Sequence, residues 1–247
     1  MFTITSISTG LTSLFFLLSG LRLYFSWRKK KTFLLKSFAI FLIFFGFQQL
    51  FFSLGTGLVS MNPTVNIWLW AMAHVFMFIG ISFFLRFPFY IRFPRFEKLA
   101  FRIAILYSII GASILFYNMS KVEAFLFDNG VYIFKVPAIA GLTIGTFTTI
   151  CLLFSFFIFF NEGRKVRDKR FRIRSFLIAL GILVFFIAGP AHNFVTTPLL
   201  TFIVDFSLIV SALLIIIGVY VPVGTPSPSA DKKEYVSAPI PGPRIKW

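Results

Sequence analysis

The sequence predicts an all-α integral membrane protein, a bundle of seven transmembrane helices, and three observations carry that reading. Its 247 residues are 58% hydrophobic and include 38 phenylalanines, more apolar side chain than a soluble core of this size buries. Seven apolar segments reach the ~20 residues that a helix rising ~1.5 Å per residue needs to cross a bilayer. The basic residues, 24 Lys and Arg against 8 acidic residues, gather in alternate linkers. In a soluble chain the net charge of +16 would point to nucleic acid, because clustered Lys and Arg neutralise phosphates. Placed between apolar spans it is the positive-inside pattern instead, and no nucleic-acid partner is expected.

The first segment, 3–25, has no basic residue before it and Arg28, Lys29, Lys30 and Lys31 after it, the reverse of a secretory signal. It reads as an uncleaved span with its N-terminus outside. The second, 34–59, starts among the same cluster, with Lys36 near its head. The third, 66–88, leads into Arg92, Arg95, Lys98 and Arg102, which place that linker and the start of the fourth span, 98–117, at the cytoplasmic face.

The linker that follows holds two β-prone runs around Asp128, Asn129 and Gly130, a hairpin signal because Asn and Gly tolerate positive φ. This outer β-hairpin between helices four and five is either a lid over an outward pocket or a plain connector. The fifth span, 136–161, carries the single cysteine, Cys151, whose expected role is packing, and Gly141 and Gly145, spaced as a close-packing motif for another helix. Seven basic residues lie in 164–174, a linker expected to hold anionic lipid at the cytoplasmic face. The sixth and seventh spans are 175–194 and 198–222, so residues 1–223 form the transmembrane domain. The Pro- and Lys-containing stretch 224–247 cannot bury a core and reads as a disordered cytoplasmic tail. Only Lys121 and Lys135 fall to the outer linkers, so the N-terminus is outside and the C-terminus in the cytoplasm, most simply across the cell membrane.

Residues 11–19 echo 147–155, and each stretch is followed by a basic linker and a Ser-Phe start, Ser37-Phe38 and Ser175-Phe176. Helices one to three then repeat as five to seven around the fourth, a 3+1+3 pseudo-repeat of the kind found in some transporters.

An ionisable group within a span is costly and therefore a candidate for function. Asp205 lies ~10 Å below the outer surface, seven residues past Pro198, and His74 lies ~12 Å down, eight past Asn66. Gln48 and Gln49 sit nearer the midplane, and His192 and Asn193 at the outer end of helix six. Helical phase puts Gln49, Ser53 and Thr56 on one face, Trp70 with His74 on another, and Thr201 with Asp205 on a third. These positions predict an outward-opening pocket walled by helices two, three, six and seven, with Gln49, His74, His192, Asn193 and Asp205 as ligand-binding residues. Asp205 is then counter-ion or acceptor, with His74 or His192 its donor. The competing reading is a satisfied interhelical pair that only fixes packing. Gly189-Pro190 marks a helix kink or hinge, because proline removes a backbone donor.

The catalytic motifs are missing: no Gly-rich phosphate loop, no His-Glu-x-x-His and no Gly-x-Ser-x-Gly. An intramembrane metal-dependent hydrolase built on His74, His192 and Asp205 has only generic spacing behind it, so neither an enzyme nor a metal site is expected. In layout the chain resembles the rhodopsins, and Val204-Asp205-Phe206-Ser207 looks like the counter-ion segment of a microbial rhodopsin's last helix. That resemblance implies a retinal-bearing lysine four residues after the aspartate. The position is Ile209 and the helix has no lysine, which excludes a retinal Schiff base, so no cofactor is expected.

The function these readings favour is a receptor-like or sensory protein with a small ligand or ion in the outer half, signalling through a separate cytoplasmic partner. The alternative is a small-solute transporter built from two three-helix repeats. A polar path through the inner half would decide for transport, and its candidates there are Ser37, Ser82, Ser108 and Ser155.

Overall fold

The computed structural model describes residues 3–57, 62–191 and 194–220, with Leu34 as backbone alone. Within them run α1 (Ile4–Lys30), α2 (Phe33–Thr56), α3 (Pro63–Arg92), α4 (Glu97–Tyr117), α5 (Ala138–Lys165), α6 (Lys169–Ala191) and α7 (Pro198–Tyr220). All seven are long and apolar enough to cross a membrane. The outside of the bundle is apolar too, with Leu11, Leu14 and Leu18 of α1 and Ile103, Leu106 and Ile110 of α4 exposed, as in a multi-pass membrane protein.

The helices overrun the apolar segments, chiefly at their charged ends. α1 continues through Lys29 and Lys30, α3 through Arg92 and α5 through Arg164 and Lys165, where cations meet the carbonyl end of each helix favourably. α6 starts inside the basic linker, where Asp168 Oδ1 accepts from the backbone N–H of Arg170 and Phe171 at 2.8 and 3.0 Å. At the other end Thr3 and Asn62 cap α1 and α3 by accepting from Ser6 N and Val65 N, and Pro63 takes the first turn of α3, where its missing donor is not needed.

Six helices close a ring. α1 packs on α2 and α7, α2 on α3, α3 on α5, α5 on α6 and α6 on α7, while α4 stands outside against α3 and α5. Close approach is made by small residues. On the α1–α2 seam a Cβ added at Gly20 would lie 2.8 Å from the Ile43 side chain, and Ser13 Oγ donates to the Gly46 carbonyl at 2.9 Å. On the α6–α7 seam a Cβ at Gly181 would lie 2.5 Å from Ile215, and Ser211 Oγ donates to the Gly181 carbonyl at 2.7 Å.

Gly141 and Gly145 do not make such a contact within the bundle. A Cβ at either meets nothing within 4 Å, which corrects the expectation that they admit a neighbouring helix inside it.

β1 (Glu123–Leu126) and β2 (Tyr132–Lys135) form an antiparallel hairpin with Ala124 opposite Phe134, turning at Gly130, whose φ of 79° suits a residue without a side chain. Three hydrogen bonds tie it to the start of α1 and to the α6–α7 linker. Ile4 N donates to the Gly130 carbonyl at 3.0 Å, Tyr132 N to Thr5 Oγ1 at 2.9 Å, and Asn129 Nδ2 to the Thr196 carbonyl at 2.8 Å. Burial pushes the Tyr132 phenol up. This is the hairpin end of the bundle, and the basic linkers lie at the opposite, basic end.

Towards the basic end the core is aromatic. Phe41 and Phe45 of α2, Phe84 and Phe87 of α3, Phe159 of α5 and Phe185 of α6 are buried, with ring centroids 4.6 Å apart for Phe45–Phe185, 4.9 Å for Phe41–Phe84 and 4.7 Å for Phe87–Phe159. At the α3–α4 corner Arg86 Nε donates to Glu97 Oε1, and its guanidinium stacks on Phe33 and Phe101 at 4.6 and 4.7 Å.

Candidate functional site

A cavity of about 410 Å³ opens within the hairpin half of the ring, a size typical of small-ligand pockets. Each wall follows from local sequence. α2 contributes Gln48 and Gln49, whose adjacent positions lie 100° apart and share the inner side. α3 contributes Trp70 and His74, one turn apart. α5 contributes Gly141, Gly145 and Thr148, α6 Gly189 and Pro190, and α7 Asp205 and Leu208. Phe134 of β2 and Phe194 in the α6–α7 linker line it as well. The space exists because three glycines face it. Beyond the backbone of Gly141, Gly145 and Gly189 there is nothing within 4 Å for a side chain to touch.

Among the residues singled out from sequence, Gln49, His74, Asp205, Gly189 and Pro190 all line this one cavity. His192 and Asn193 lie outside the described residues, and so does the 224–247 tail; of the triad His74, His192 and Asp205, only His74 and Asp205 are described. Gly189 and Pro190 fall in the last described turn of α6, which runs to Ala191.

The walls are wider than sequence reasoning drew them. α5 and the hairpin belong to the pocket, and Gln48 lines it beside Gln49. The signal for α5 was present in its glycines, read as packing. No sequence pattern tells a glycine that admits a helix from one that leaves a void.

His74 is buried, and its Nδ1 lies 2.9 Å from the Trp70 carbonyl. A carbonyl only accepts, so Nδ1 carries the hydrogen, and in the neutral ring Nε2 is left as an acceptor. Trp70 and Phe52 hold the ring in place, with centroids 4.4 and 5.5 Å from it. Gln48 is 7% exposed, and its Oε1 has no hydrogen-bond partner among the described residues. Asp205, 2% exposed, presents a carboxylate from the first turns of α7.

Ser53 and Thr56, which share a helical face with Gln49, are engaged elsewhere. Ser53 Oγ donates to the Ser6 carbonyl on α1 at 2.7 Å and Thr56 Oγ1 to the Phe52 carbonyl at 2.8 Å. Among the described residues no three His, Cys, Asp or Glu side chains gather as metal ligands. What the arrangement offers is a binding pocket whose lining joins aromatic rings to the Gln48 and Gln49 amides, the His74 imidazole and the Asp205 carboxylate.

No protein-family model, curated protein or solved structure matches the chain.

Proposed function

We propose that the chain is a receptor-like seven-helix membrane protein whose pocket takes a small ligand from outside. In this reading the hairpin end is outside and the basic end faces the cytoplasm, where a separate partner reads the state of the helices. The observation that carries it is the one-sidedness of the bundle. The pocket's polar groups and space lie in the hairpin half, Phe45 and Phe185 border it, and the buried Phe41, Phe84, Phe87 and Phe159 rings lie beyond them towards the basic end.

Three of the four serines that a transport path would need are engaged in helix contacts. Ser82 and Ser108 lie 3.0 Å apart between α3 and the peripheral α4, and each donates to a backbone carbonyl. Ser155 Oγ donates to the Cys151 carbonyl at 2.6 Å. Ser37 is buried near the start of α2 and has no polar neighbour leading onward among the described residues. A ligand that wedges against Phe45 and Phe185 at the pocket floor would push directly on the aromatic stack, which joins α2, α3, α5 and α6. That gives binding a mechanical route to the basic end without opening a path for solute.

Native mass spectrometry of the chain extracted from its own membrane, beside a Gly145→Leu variant, tests this. The leucine projects into the open cavity and not into a neighbour, so the variant is expected to fold and to lose a small molecule that the unaltered chain retains. An identical lipid-only pattern in both would sink the proposal. Solute uptake by proteoliposomes would decide for the transporter.

A further inference from the structure

The charge and hydrogen-bonding character of the pocket narrows its ligand further than its shape does. The chain has 24 Lys and Arg against 8 Asp and Glu, yet among the described residues no Lys or Arg lines the cavity, and Asp205 does. An anionic ligand would meet the Asp205 carboxylate there and, among the described residues, no Lys or Arg. A neutral hydrocarbon would leave the buried Gln48 Oε1 without a donor, the costly state for an amide oxygen out of water.

The acceptors converge. Gln48 Oε1 needs a donor, His74 keeps only Nε2 free of its Trp70 bond, and a carboxylate has about four lone-pair sites, so Asp205 can accept from a ligand while it holds another partner. Around these stand seven aromatic side chains, among them Trp70, Phe52, Phe134 and Phe185. Ring faces attract a cation and pack an apolar body. A bare metal ion would use the oxygens but not the rings.

Building on the pocket reading above, we propose that the site binds an apolar amine, an organic ammonium whose N–H groups donate to Gln48 Oε1 and Asp205 while its hydrocarbon part lies among the aromatic side chains. A compact arylalkyl chain fits a cavity of about 410 Å³.

Three probes of nearly one shape test this on the full chain in lipid nanodiscs at neutral pH: 4-phenylbutylamine, 4-phenylbutanol and 4-phenylbutyrate. The amine is expected to bind about tenfold or more tightly than the alcohol, and the carboxylate most weakly, given what a desolvated cation gains from rings and a carboxylate. Gln48→Leu should weaken the amine about tenfold and the alcohol less, through loss of a charge-assisted hydrogen bond. Asp205→Asn should bring amine and alcohol to similar affinity. If that variant does not fold, the three probes on the unaltered chain and on Gln48→Leu still decide.

Alcohol or carboxylate binding as tight as amine would overturn the ligand class and leave the pocket reading standing. Failure of all three probes to bind would count against the pocket as well. Amine binding that persists in Gly145→Leu would place the amine outside this cavity and overturn the assignment.

Discussion

Gln48 is the residue at which stability and binding pull apart. A buried amide oxygen without a partner costs about 1–3 kcal/mol, so Gln48→Leu, close in volume and free of the polar group, is expected to raise the Tm of the ligand-free protein in detergent. The same change should weaken amine binding about tenfold, a stability gain traded against function. A lowered Tm would mean that the oxygen is satisfied in the membrane by water or lipid. Little of this residue's importance was legible in the sequence. Helical phase grouped Gln49 with Ser53 and Thr56, but the serine turns to α1 and the threonine to its own helix, because phase gives a shared face and not the neighbour that the face meets. Depth counted along the helices puts His74 and Asp205 at similar levels, and both line the cavity, although α3 starts at Pro63, three residues before the Asn66 from which His74 is counted.

At the scale of the helix, glycines divide into two kinds. Gly181 sits against Ile215 and the Ser211 carbonyl, where a Cβ would lie 2.5 and 2.8 Å away, so Gly181→Ala should cost about 1–3 kcal/mol through overpacking and lower Tm. Gly145 faces open space, so Gly145→Ala should stabilise by up to about 1 kcal/mol, the helix propensity of alanine over glycine. Thermal unfolding of both in one detergent checks the contrast, and equal shifts of one sign would contradict it. The hairpin gives a second expectation. Burial holds the Tyr132 pKa above its unfolded value, so its contribution to stability is full below the unfolded pKa, about 10, and is lost as pH rises through the folded one. Loss of hairpin protection in hydrogen exchange at high pH should therefore be smaller in Tyr132→Phe. The hairpin was legible because Asn129 and Gly130 demand a turn. The helix ends were not, because hydropathy stops at the first Lys or Arg while the backbone continues through them, with long basic side chains reaching outward.

At the scale of the molecule, seven helices put the two described ends on opposite sides, and the ring of six with α4 outside determines which residues can meet across its centre. The count of seven was legible from apolar length alone. The closing of the ring was not, because it depends on small-residue seams, Ser13 with Gly46 and Ser211 with Gly181, that carry no hydropathic signal. The arrangement of α4 outside the ring also accommodates the 3+1+3 pseudo-repeat without requiring it.

Orientation rests on charge. The 164–174 linker carries seven basic residues against Asp168, while the hairpin pairs Lys135 with Glu123 at 3.3 Å. Carrying the first across a bilayer is far costlier than carrying the second, which is the physical basis of the positive-inside asymmetry. A cysteine placed at Asp128 or at Arg167, each exposed, with Cys151→Ala beneath it, reads the orientation directly. In intact cells a membrane-impermeant maleimide should label Asp128→Cys at once and Arg167→Cys only after permeabilisation. Labelling of Arg167→Cys first would invert the bundle and turn the pocket towards the cytoplasm. Equal labelling of both would remove the premise of two sides. The receptor reading depends on this result, because a pocket that opens at the hairpin end samples the outside only if that end is there.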